Sequence, residues 1–117
     1  MSAIDDFAAG MTDLGYAVTR RPDLPQFVLV QFEIPIGPQR GTVVGLGIEV
    51  PGDFPATPPP GIHVSPRIGA LAGVEAVHAS PLGDEWEYWS RPFGLWPQSS
   101  RTAKAYMAHA RVQFEEL

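Results

Sequence analysis

Pro51-Gly-Asp-Phe-Pro-Ala-Thr-Pro-Pro-Pro-Gly-Ile-His-Val64 is the most proline-dense segment of this chain. Five of the eleven positions from 51 to 61 are proline. Proline has no backbone N–H and a fixed φ, so this segment can be neither a helix nor a central strand. It reads as a rigid, fold-defining turn between two strands, of the kind that accommodates a cis bond. The alternative, a ligand for an SH3-like partner, fits poorly with a position between two apolar runs. Ile62–Val64 leads out of it as a brief strand.

Working back from that turn, residues 42–50 alternate with period two. Val44, Leu46, Ile48 and Val50 point one way, while Val43, Gly45, Gly47 and Glu49 point the other. The two glycines leave room for something to pack closely on the second face. Residues 26–36 form another strand, with Val28, Val30, Phe32 and Ile34 on one face opposite Gln31 and Glu33. Residues 35–41 make a hairpin-type loop, 21–25 a turn, and 16–19 a short strand. The spacing of Ile4, Phe7, Met11 and Leu14 predicts a helix over 2–14, capped by Ser2, with Asp5 and Asp6 in its first turn and Gly15 as its stop.

Working forward, residues 66–85 have weak periodicity and read as an irregular loop. Residues 86–97 read as an aromatic-rich turn or partial helix. From 100 to 117, Ala103, Tyr106, Met107, Ala110, Phe114 and Leu117 form an apolar stripe at helical spacing, with Ser99 or Ser100 as cap. The expected fold is a single α+β domain over 1–117. It has an N-terminal helix, an antiparallel β-meander of three to four strands, an irregular segment and a C-terminal helix.

Composition narrows the chemistry. The 117 residues carry a net charge of −5 and no cysteine. Disulfides, thiolate metal sites and sulfur nucleophiles are therefore excluded. The acidic balance and scattered arginines argue against a nucleic-acid partner and favour a basic protein partner. There is no apolar run of membrane-spanning length and no basic-then-apolar start, so the chain reads as cytoplasmic with no membrane association. Thirteen prolines and twelve glycines cluster between apolar runs, the pattern of a rigid, loop-rich domain.

The helix, the meander and the segment Asp53-Phe-Pro-Ala-Thr-Pro-Pro-Pro-Gly-Ile-His-Val64 together resemble the E2 (ubiquitin-conjugating, UBC-like) fold. In that fold an aromatic-Pro-x-x-Pro-Pro element lies between the third and fourth strands. Trp86-Glu-Tyr-Trp-Ser-Arg91, followed by Trp96 and a closing helix, is similar to divergent prokaryotic E2-like families. The chain departs from the pattern at its centre. It lacks the catalytic cysteine and any His-Pro-Asn triplet, and one closing helix stands where many E2 proteins have two. Ser80 or Ser90 marks the place of the lost cysteine. The resemblance implies a non-catalytic domain that binds a ubiquitin-like protein, in the company of E1-like and JAB-type proteins of a bacterial conjugation system.

Candidate site residues fall into two groups. Trp86, Trp89, Arg91, Phe93 and Trp96, with Tyr88, form an aromatic cluster that reads either as core or as a partner-binding anchor. Phe93 and Trp96 are the members expected at the surface, since Pro92, Gly94 and Pro97 surround them. Arg91 either grips a partner or pins the loop to Asp84 or Glu85. The second group is catalytic: His63 or His78 paired with Asp84 or Glu85 as a general base or a metal ligand. No metal-ligand spacing and no cofactor motif is present, and there is no G-x-S-x-G elbow. His109 is expected to face solvent from the last helix. A third reading makes the aromatic segment a homodimer interface.

Overall fold

A computed structural model describes residues 2–71 and 76–115. The order is α1 (Ala3–Asp13), β1 (Thr19–Arg21), β2 (Leu24–Glu33), β3 (Val43–Glu49), β4 (Gly61–Ser65), α2 (Ile68–Leu71), β5 (Val77–Ala79), β6 (Glu87–Ser90), a 3-10 turn (Trp96–Gln98) and α3 (Ala103–Gln113). The α+β class is as expected. Among the described residues, six strands form one sheet in the order β1-β2-β3-β4-β6-β5, and every neighbouring pair is antiparallel.

Local chemistry sets the ends of α1. Ser2 Oγ accepts the Asp5 N–H at 3.3 Å. At the other end Gly15 adopts φ 97°. Its N–H donates to the Thr12 carbonyl, and the Tyr16 N–H donates to that of Met11. These two bonds make a Schellman motif, which favours glycine at the left-handed position. The cap of α3 is Thr102, whose hydroxyl accepts the Ala105 N–H at 3.1 Å, and not Ser99 or Ser100. Leu117 of the expected stripe lies outside the described residues.

The two-residue period puts Val28, Val30 and Phe32 opposite Ile48, Leu46 and Val44. Val64 follows beside Leu46, and Trp89 beside Ile62. This face carries the main core, against Phe7 and Met11 of α1 and Tyr106, Met107 and Ala110 of α3. Gly10 sits where the two helices cross, so near Ala103 that a Cβ there would lie 2.9 Å from its methyl. The proline segment closes this layer. Phe54 lies 5.2 Å from the Phe7 ring and 5.8 Å from Trp96, and the Trp96 indole N–H donates to the Pro55 carbonyl at 2.8 Å. The Phe54–Pro55 and Ser65–Pro66 bonds are cis.

The three-to-four-strand expectation is corrected by two short strands downstream of β4. β5 has three residues and β6 four, too few for a period to declare itself. The segment 86–97 is thus a strand followed by a 3-10 turn, and 66–85 contains α2 and β5. Among the described residues, no helix is long and apolar enough to cross a membrane.

Candidate functional site

The face of the sheet turned away from the helices carries a second, smaller cluster. Glycines 45 and 47 leave the surface of β3 bare, and the loop from Ser80 to Trp86 lies across it. A Cβ on Gly45 would lie 2.9 Å from the Trp86 ring, and one on Gly47 would lie 2.6 Å from Leu82 Cδ1. The close approach foreseen at these glycines is that of the chain's own loop. The Arg21 guanidinium ties the loop to the first hairpin by donating to the Leu82 carbonyl at 2.6 Å.

His63 lies under this loop, in the middle of β4, and is 5% exposed. Phe27 meets its ring edge-on at 4.9 Å and Tyr88 stacks on it at 4.7 Å. Its Nδ1 is 2.7 Å from Ser80 Oγ. Burial holds the imidazole pKa down to about 4, because a charged ring would lose its hydration there. The ring is neutral at pH 7 and can accept the Ser80 hydroxyl proton, while Ser80 Oγ accepts the Leu82 N–H at 3.1 Å.

Ser80 is thus the partner of His63. Asp84 and Glu85 are exposed, and among the described residues neither forms an ion pair with His63 or His78. His78, on β5, is exposed and lies 6.0 Å from Tyr88, on the opposite edge of that ring's strand from His63. Among the described residues, the acid that does enter the interior is Glu87, 1% exposed, which accepts the Gly69 N–H at 2.5 Å. Its alternation with Tyr88 is the only sequence signal for this, and it is slight. Among the described residues no group of three His, Asp or Glu side chains could hold a metal ion.

The aromatic segment is divided by β6. Trp89 is fully buried on the helix face, 5.0 Å from Phe114, and Trp86 is half-buried above Gly45. Trp96, expected at the surface, is only 2% exposed: its ring completes the layer under the proline segment. Phe93 is half-buried and stacks on His109 at 4.4 Å. His109 therefore does not face solvent freely, and its Nε2 is 3.1 Å from the Arg91 carbonyl. Arg91 is half-buried and donates to the Ser90 carbonyl, while Ser90 itself pairs with Gly61 in the sheet. The most exposed large apolar side chain here is Leu95, at 71%, which sequence reading passed over because it is flanked by larger rings. No family model, curated protein or solved structure matches this chain.

Proposed function

We propose that this chain is a UBC-like protein-binding domain that carries no thioester chemistry and recognises a ubiquitin-like protein or its E1-like or JAB-type associates. The observation that carries this reading is the arrangement around the proline segment. A leading helix, an antiparallel meander and a closing helix share one face, and Phe54–Pro55 runs from the third strand into the helix layer. The sequence resemblance rests on those same residues. The absence of cysteine removes the thioester step. Contact with a partner then falls to Trp86, Arg91, Phe93 and the exposed Leu95, with Trp89 and Trp96 supporting them from the core. The test is affinity capture with this chain as bait in its source cell. Enrichment of a ubiquitin-like protein, an E1-like enzyme or a JAB-type peptidase is expected; recovery of none of the three overturns the reading.

A second reading rests on the Ser80–His63 pair, a hydroxyl and a neutral imidazole at 2.7 Å. Such a pair can serve a serine nucleophile. Against it, Phe27 and Tyr88 occupy the sides of the imidazole, and the low pKa makes it a feeble base. Labelling of Ser80 by a fluorophosphonate probe, abolished in Ser80→Ala, would put this reading ahead of the first.

A further inference from the structure

The end of α1 and the outward side of α3 enclose a groove of about 200 Å³. Phe32 and Met107 form its buried floor, with Tyr16 beside them and Leu14 at the rim, 39% exposed. Lys104, Ala108 and Arg111, spaced four and three apart along α3, make the other wall. Val112, 51% exposed, adjoins Arg111.

The charge of this groove opposes that of the molecule. The chain carries −5 overall, yet both charged residues lining the groove are cations. Arg20 and Arg21 are matched with Asp5 and Asp23. Among the described residues, Lys104 and Arg111 form no ion pair. An apolar floor flanked by uncompensated cations is complementary to an apolar side chain flanked by carboxylates. An anionic membrane also presents negative charge, but it is broad and would meet the net negative charge of the whole domain. A short acidic segment need match only the groove.

We propose that this groove docks an acidic segment of another protein, anchored by a Leu or Phe side chain. The inference rests on the protein-binding reading above but not on kinship with conjugation proteins. The probe is a labelled synthetic peptide with Leu and Phe on one face and Glu flanking them. Its controls are the same peptide with Lys for Glu, and phosphatidylserine vesicles. Amide shifts are expected at residues 14–16 and 104–111. Affinity for the Glu peptide should fall about tenfold in the double charge reversal Lys104→Glu/Arg111→Glu and about threefold in Lys104→Gln/Arg111→Gln, and should fall with added salt. Both cations are exposed on α3, so thermal melts showing folded variants make any change in binding attributable to charge. Equal binding of the Lys peptide, shifts confined to other surfaces, absence of binding, or binding to vesicles alone would each overturn the proposal. Setting the peptide titration beside the affinity capture separates the two inferences. Conjugation partners recovered, with no Glu peptide bound in the groove, sink the groove alone. Peptide bound in the groove, with no conjugation partner recovered, sinks the family reading alone.

Discussion

Ser80 Oγ lies 2.7 Å from His63 Nδ1 and 3.1 Å from the Leu82 nitrogen, so one hydroxyl fixes both a buried imidazole and the turn of the loop that covers it. Ser80→Ala leaves a buried ring nitrogen and a backbone N–H without that oxygen. Leaving such groups unmet costs about 1–3 kcal/mol. Urea denaturation of the variant should show that loss, with Trp86 becoming more solvent-accessible as the loop loosens; unchanged stability would mean that water replaces the hydroxyl.

The same imidazole makes stability depend on pH. Its pKa is about 4 in the fold against an ordinary value of 6.5, so between those values the unfolded chain binds the proton and the folded chain does not. Stability is therefore full above pH 6.5 and declines as pH falls toward 4, by roughly 3 kcal/mol. Melts of the native protein and of His63→Gln across pH 4–7.5 should differ in slope over that window. Parallel curves would assign the acid sensitivity elsewhere.

Gly69 packs against the Trp89 indole so closely that a Cβ would stand 2.6 Å from Nε1 and 2.8 Å from Cε2. Trp89 is fully buried and cannot retreat. Gly69→Ala should destabilise the fold by about 1–3 kcal/mol through overpacking, whereas Gly52→Ala, with nothing within 4 Å of its Cβ, should change it by less than about 0.5 kcal/mol. Denaturant midpoints for the pair are the measurement.

Trp96 and Leu95 are neighbours with opposite fates, one 2% exposed and the other 71%. Trp96→Phe removes the hydrogen bond to Pro55 and part of a buried ring, and should lower stability by about 2 kcal/mol. Leu95→Ala should leave stability unchanged and weaken partner capture. If the two effects are exchanged, the assignment of this turn is wrong.

The parts of the fold legible in the sequence are those written in local periodicity. The alternation of β2 and β3 identified the core face residue by residue, and Gly45 and Gly47 announced a close approach that Trp86 and Leu82 make. What could not be read is pairing at a distance. β5 and β6 are strands because each finds a neighbour in register, and nothing within three or four residues encodes that. Ser99, Ser100 and Thr102 are all capable caps, so only backbone geometry selects Thr102. The candidate site failed in the same way. His63 takes its partner from 17 residues away, and Glu87, not Asp84 or Glu85, is the acid the fold buries.

The loop laid across glycines 45 and 47 has a consequence for the inner strand beneath it. β3 is paired along both edges, by β2 and β4, and is covered by the helices on one face and by Leu82 and Trp86 on the other. No local fluctuation uncovers its middle, so the amides of Leu46 and Gly47 should exchange with deuterium only when the whole molecule opens. Their exchange rates then become a gauge of global stability, readable in the intact protein without denaturant.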